Sequence, residues 1–176
     1  MWLVARYPEM VCRDGSSRFG PDERWGKFWS LGVGWTLTNS EFLDDFTGFF
    51  DYLKLRSSYG EVGNAEIGTY PWQGLYGFNP AYDGMPGSNP SQVANTLLTW
   101  ESQGAFNVGF DYAFLDSRVT GTIEYFKKSS TELLLDVPVS RTTGFSDVLQ
   151  NFGDMKNYGI EFSVRADLLR QPDYDF

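Results

Sequence analysis

The sequence of 176 residues has the length of one domain, and its 41% hydrophobic content is enough for a sizeable core. A formal net charge of -9 argues against a nucleic-acid-binding surface, which requires basic residues, and the absence of histidine excludes histidine bases and histidine-ligated metals. The single cysteine, Cys12, excludes an internal disulfide bond. The 18% aromatic content and 19 glycines favour an all-β chain, because aromatic residues suit strands and glycines suit turns and tight barrel walls.

The N-terminal segment, residues 1–13, does not have the pattern of a signal peptide, because no basic region is followed by a long apolar run. Pro8 and Glu9 interrupt its apolar residues, and proline cannot donate to a sheet ladder, so we expect an edge strand or a damaged strand. The sequence also lacks a run of about 18 apolar residues, which argues against a transmembrane helix. If the protein is exported, we therefore expect the sequence to be an internal fragment or a truncated reading frame.

Four segments farther along the chain alternate strictly between apolar and polar residues, which is the pattern of a membrane-barrel strand. They span residues 27–37, 105–115, 118–126 and 158–168, and residues 53–62 form a weaker candidate. Trp29 and Trp35 lie near the two ends of the first apolar face, as aromatic girdles at the two membrane interfaces would. Strands of about ten residues, tilted by about 40°, span about 25 Å, which matches the apolar band of an outer-membrane barrel.

The connectors between these strands differ sharply in length. The first contains a predicted short helix near residues 40–46. Residues 63–102 form an irregular loop of about forty residues, which is abnormal inside a compact soluble domain. Residues 116–117 predict a tight hairpin, and residues 127–157 form another long loop. Long extracellular loops that alternate with short periplasmic turns are typical of outer-membrane barrels.

The sequence therefore predicts an all-β fold, namely an antiparallel segment of a transmembrane β-barrel with long extracellular loops. About six strands are too few for a closed bacterial barrel, so we expect a segment that neither closes nor transports by itself. Two alternatives stay open. A soluble carbohydrate-binding β-sandwich would explain the aromatic residues and the acidity, and would bury the apolar face against a second sheet. A small complete barrel with a structural or adhesive role would require additional strands.

The loop at residues 63–102 carries the candidate ligand-binding residues. Aromatic rings can stack on sugar faces, and amide or carboxylate oxygens can accept hydrogen bonds from sugar hydroxyls, although loop aromatics also pack against their own loop. The candidates are Trp72, Tyr76, Tyr82, Asp83 and Trp100. The acidic residues have neither the spacing of an EF-hand nor the arrangement of a glycosidase pair, so we expect no metal, no cofactor and no enzymatic activity.

Several phrases of the sequence resemble, in order, those of SusC/RagA-type TonB-dependent outer-membrane transporters. They are DGSSRFG (14–20) with RWG (24–26), FDYLKLRSSYG (50–60) with VGN (62–64), LTWE (98–101) with FNVG (106–109), LLL (133–135) with VP (137–138), TGF (143–145) and NFG (151–153), and NYGIE (157–161). Each phrase alone is weak, but their order along most of the chain is specific.

The resemblance implies a parent barrel of about 22 strands with an N-terminal plug, located in the bacterial outer membrane. Such a parent imports glycans, oligosaccharides or peptides with energy passed on by TonB, and works with a SusD-like surface lipoprotein. The sequence departs from the family in residues 1–13 and in the absence of a plug. We therefore expect residues 1–176 to be a partial barrel domain.

Overall fold

The computed structural model describes residues 9–39, 48–78 and 81–168, so the helix predicted near residues 40–46 lies outside the described residues. The strands in chain order are β1 (Glu9–Gly15), β2 (Trp25–Thr36), β3 (Tyr52–Asn64), β4 (Leu75–Gly77), β5 (Ala81–Tyr82), β6 (Met85–Pro86), β7 (Asn89–Gln92), β8 (Glu101–Phe114), β9 (Val119–Thr131), β10 (Leu134–Pro138), β11 (Asp147–Asn151) and β12 (Met155–Ala166). Among the described residues, single 3-10 turns lie at Leu37–Asn39 and Arg141–Thr143.

Six of these strands form one antiparallel sheet in the order β1-β2-β3-β8-β9-β12. The predicted all-β segment of about six strands is thereby confirmed, and β1 is an edge strand as predicted. Because β1 and β12 are opposite edges, the described sheet is not closed. The weaker strand candidate of the sequence, residues 53–62, lies within β3, a central strand of 13 residues. Its apolar face is interrupted by Ser57 and Glu61, so alternation alone underestimates a strand that is paired on both sides.

The apolar face of this sheet is open. Phe110, Ile123 and Phe162 lie side by side in register on β8, β9 and β12 and are 44%, 43% and 67% exposed. A β-sandwich would bury such a face against a second sheet, so the sandwich alternative does not fit. The largest fully buried side chains of the described residues, Phe19 and Leu98, belong to connectors instead. The sheet therefore has the exterior expected of a strand wall in contact with lipid.

The connectors fall into two groups at opposite ends of the sheet. Residues 16–24, 65–78, 81–100 and 132–154 lie at one end, and residues 37–39, 48–51 and 115–118 lie at the other. Three small two-stranded hairpins, β4–β7, β5–β6 and β10–β11, occur within the long connectors. The two longest connectors, between β3 and β8 and between β9 and β12, lie at one end of the sheet and are separated along the chain by the short β8–β9 turn, as the sequence predicts. Outer-membrane barrels direct their long connectors to the extracellular side.

The short turn between β8 and β9 is the tight hairpin that the sequence predicts. Leu115, Asp116 and Ser117 all adopt left-handed backbone conformations, with φ of 60°, 55° and 58°. These conformations are unfavourable without glycine. The Asp51 carboxylate accepts a hydrogen bond of 2.7 Å from the Ser117 N–H and so braces the turn. Among the described residues, no helix has the length and hydropathy needed to cross a membrane.

Candidate functional site

The face of the sheet opposite the apolar one is small and polar. Its side chains come from alternate positions of β2, β3, β8, β9 and β12, because successive residues of a strand point to opposite faces. They include Ser30, Gly32, Gly34, Lys54, Arg56, Ser58, Asn107, Gly109, Asp111, Thr122, Glu124, Glu161, Ser163 and Arg165. In a barrel with lipid outside, this face lines the interior.

An ionic bridge spans three strands on the polar face. Arg56 on β3 stands opposite Gly109 on β8, which stands opposite Glu124 on β9. The guanidinium crosses above Gly109, with Nη2 2.5 Å from Glu124 Oε2 and Nε 3.2 Å from Asp111 Oδ1. A Cβ at Gly109 would lie only 3.4 Å from Arg56 Cζ and 3.0 Å from the Ile123 carbonyl oxygen. The glycine therefore provides the space through which one arginine neutralises two carboxylates.

Other charged groups of this face form no ion pair within the part of the chain that the structure describes. Glu161 stands directly opposite Glu124, and within the described ranges it has no ion-pair partner. Like charges at directly opposite positions repel, so the arginine bridge relieves this contact from the Glu124 side. Lys54 faces Asp111 in register but its side chain lies over Gly34, 3.2 Å from the position of a Cβ there. A shallow depression of about 280 Å³ lies beside it.

Removing the arginine should destabilise the sheet. In an Arg56→Gln variant, Asp111 and Glu124 lose their counter-ion while Glu161 stays opposite Glu124. We expect a loss of about 1–3 kcal/mol in the free energy of unfolding, measured by urea titration of the protein refolded in lipid or detergent. The double variant Arg56→Gln/Glu124→Gln removes one of the uncompensated charges and should recover part of this loss. Equal stability of the wild type and the single variant would show that the bridge is only a surface pair.

A second feature, at the end of the sheet that carries the longest connectors, is an aromatic cluster formed by two connectors and β2. Trp100 packs against Phe19, with ring centroids 5.1 Å apart, and edge-on against Phe28 at 5.5 Å. Leu98, two residues before Trp100 in the chain, is fully buried. Trp72 lies against Gly20 of the connector formed by residues 16–24. The indole N–H groups of Trp72 and Trp100 are buried without a hydrogen-bond partner. The cluster is thus the small hydrophobic core of this part of the molecule.

The four predicted ligand-binding residues whose side chains the structure describes do not share one surface. Trp72 and Trp100 are half-buried and face the connector formed by residues 16–24. Tyr76 lies on β4 and is 62% exposed, and Asp83 is exposed in the turn between β5 and β6. The side chain of Tyr82 lies outside the described part of the structure. Ligand contact by the five residues stays a prediction.

The ionic bridge of the polar face was not among the residues singled out in the sequence. Arg56, Asp111 and Glu124 are far apart in the chain, and their charges carry no spacing signal. The register that aligns β3, β8 and β9 is what brings them together. Only a glycine within a strand, Gly109, could have suggested that a long side chain crosses at that position.

Comparison with known proteins gives consistent matches. The family model described as "TonB dependent receptor-like, beta-barrel" matches residues 11–176. A TonB-dependent receptor of Formosa agariphila is 36% identical over 160 residues, which cover 91% of this chain and 15% of the relative. The TonB-dependent receptor SusC of Bacteroides thetaiotaomicron is 37% identical over 161 residues, covering 87% of this chain and 16% of the relative.

Solved structures agree with these relatives. The RagAB peptide importer in its closed-closed state superposes with a TM-score of 0.84 at 32% identity, covering 94% of this chain and 18% of that one. Its open-open state superposes with a TM-score of 0.81. The chain thus spans less than a fifth of the length of the proteins that it matches.

Proposed function

Because the chain belongs to the TonB-dependent receptor-like β-barrel family, whose SusC and RagA members lie in the bacterial outer membrane, we propose that it is part of a nutrient importer of that membrane. The observation that supports this function is the two-sided sheet. Its apolar face suits lipid, its polar face suits an aqueous interior, and its long connectors reach the extracellular side, where cargo arrives. The segment would act as a conduit wall and not as an enzyme.

The proposed cargo is an oligosaccharide, bound first at the extracellular connectors. Exposed rings such as Tyr76 can stack on sugar faces, and exposed carboxylates such as Asp83 can accept hydrogen bonds from hydroxyls. The proposed contacts remain Trp72, Tyr76, Tyr82, Asp83 and Trp100. A peptide is the second candidate, favoured by the similarity to a structure described as a peptide importer.

The remaining parts of the importer would lie outside these residues. The relatives are several times longer than the chain, so we propose that residues 1–176 are a partial barrel domain within a protein that also contains a plug. The proposed partners are a SusD-like surface lipoprotein, TonB and the lipid of the outer membrane. A barrel of this size closes only when the other strands complete it.

The function can be tested by deleting the gene in its native host. We expect the deletion strain to lose growth on particular oligosaccharides, or on peptides if the second candidate is right, and to regain growth when the gene is restored. Uptake of fluorescently labelled cargo should show the same pattern. Unchanged growth and uptake across a broad panel of both cargo classes would contradict the proposal.

The contact residues give a finer test within the restored strain. Tyr76→Ala should weaken cargo binding about tenfold, because the stacking ring is lost from an exposed position. The control is Tyr76→Phe, which keeps the ring and should keep most of the affinity. Affinity is measured by titrating labelled cargo onto the purified importer. A wild-type affinity in Tyr76→Ala would remove this residue from the site.

A further inference from the structure

The three extracellular connectors are joined to one another by hydrogen bonds from side chains. Between residues 16–24 and 65–100, Arg18 Nη1 donates to the Ala65 carbonyl at 2.8 Å, and the Thr99 hydroxyl donates to Glu23 Oε2 at 3.0 Å. Between residues 65–100 and 132–154, Asn95 Nδ2 donates to the Leu149 carbonyl at 3.0 Å. The middle connector therefore supplies hydrogen-bond partners to both of the others.

Asn151, the last residue of β11, is the centre of this arrangement. Its Oδ1 accepts a hydrogen bond from the Thr99 N–H at 2.9 Å, and its Nδ2 donates to the Thr99 carbonyl at 2.9 Å. The same Nδ2 also donates to the Glu132 carbonyl at 2.9 Å. The side-chain amide thus pairs with Thr99 as a neighbouring strand would, through one donor and one acceptor.

The chemistry of the amide fits this position specifically. An asparagine amide has one oxygen to accept from an N–H and two N–H groups to donate to carbonyls, and all three are used here. An aspartate of almost the same shape would place a carboxylate oxygen against two carbonyl oxygens. Thr99 also bonds to the first connector, because its side-chain hydroxyl donates a hydrogen bond to the Glu23 carboxylate.

We propose that residues 16–24, 65–100 and 132–154 form one extracellular loop unit, and that Asn151 is the positioning residue that holds it together. Long connectors of this kind are ordinarily the mobile part of a protein. Here Thr99 lies in the chain between the fully buried Leu98 and Trp100, whose ring packs on the fully buried Phe19, so the polar contacts of Asn151 hold the same segment that the apolar contacts hold. The loop unit presents Tyr76 in a fixed position, and this last step rests on the proposed function.

Hydrogen exchange on the natural full-length protein tests the loop unit without any cargo. In Asn151→Ala and Asn151→Asp, we expect faster exchange in peptides that cover residues 95–100 and also in peptides that cover residues 16–24, which Asn151 does not touch. The strands of the sheet should exchange as in the wild type. Asn89→Ala, an exposed asparagine of the same long connector, is the control and should leave residues 16–24 unchanged.

Two results would overturn the loop unit. One is faster exchange confined to residues 95–100 and 132–154, which would mean that the connectors open separately. The other is wild-type exchange in Asn151→Asp, which would mean that the side chain acts by its shape and not by its hydrogen bonds.

Cargo titration separates this inference from the proposed function. Asn151→Ala should weaken cargo binding about tenfold while the maximum import rate per folded molecule is kept. Wild-type protein that binds neither oligosaccharides nor peptides would contradict the proposed function and leave the exchange result intact. Normal cargo affinity in a variant whose loops exchange faster would contradict the positioning role of Asn151.

Discussion

Replacing Gly121 with alanine should sharply reduce the amount of folded protein in the outer membrane. Gly121 on β9 stands directly opposite Tyr112 on β8, and the phenol ring lies across the glycine. A Cβ there would lie 2.5 Å from Tyr112 Oη and 2.7 Å from its Cζ, and would also collide with the backbone carbonyl of Ser163 on β12. A backbone oxygen held in a sheet ladder cannot move aside as a flexible side chain can.

The expected size of the effect follows from overpacking. An extra carbon in a filled site costs about 1–3 kcal/mol, and the contact with backbone places Gly121→Ala near the upper end of that range. Quantifying the heat-modifiable, folded form in outer-membrane fractions should show a decrease of about tenfold or more. The double variant Gly121→Ala/Tyr112→Ala should recover only part of the folded protein, because the contact with Ser163 remains.

Gly34→Ala is the matched control for this experiment. It is also a glycine within a long strand, but a Cβ there meets only the end of the Lys54 side chain, 3.2 Å away at Cε. A lysine side chain can rotate away, so this variant should accumulate as the wild type does. Equal accumulation of the two alanine variants would contradict the claim that Tyr112 and Ser163 leave no room for a side chain at Gly121.

The sequence predicts the strand wall well because lipid imposes a strict rule. Every second residue of a membrane-facing strand is expected to be apolar, and β2, β8, β9 and β12 follow this pattern over most of their length. β3 departs from the rule at Ser57 and Glu61, so its central place emerges only from its pairing with β2 and β8. Gly121 likewise could not be singled out from the sequence, because its role depends on the ring of Tyr112, which stands opposite it on the neighbouring strand.

The candidate site is harder to predict from the sequence. Its side chains are brought together by the pairing register of neighbouring strands, and their spacing along the chain gives no sign of this. Arg56 reaches Glu124 only because Gly109 lies between them on β8, and a shift of one residue would send these side chains to opposite faces. Asn151 and Thr99 are 52 positions apart, and nothing next to either residue indicates the other. Aromatic residues in the long loop could be predicted as functional candidates, but their division between a buried cluster and exposed hairpins could not.

Replacing Trp100 with alanine should loosen the extracellular connectors while leaving the sheet assembled. The indole packs on Phe19 at 5.1 Å and on Phe28 at 5.5 Å, and a Cβ at Gly26 would lie 3.2 Å from it, so the ring has little free space around it. Loss of a large aromatic side chain from a packed site costs about 3–5 kcal/mol, and the half-buried position of Trp100 favours the lower end. Hydrogen exchange should rise in residues 16–24 and 65–100, and limited proteolysis should cut there.

A phenylalanine at this position separates packing from hydrogen bonding. The Trp100 N–H is buried without a partner, and an unpaired buried donor costs about 1–3 kcal/mol. Trp100→Phe removes that donor and keeps an aromatic ring against Phe19, so its connectors should exchange nearly as in the wild type. Tyr76→Ala, at an exposed position, should also leave exchange unchanged. If Trp100→Ala instead lowered cargo affinity with no change in exchange, Trp100 would contact cargo directly, because a ring that only supports the connectors cannot alter binding without loosening them.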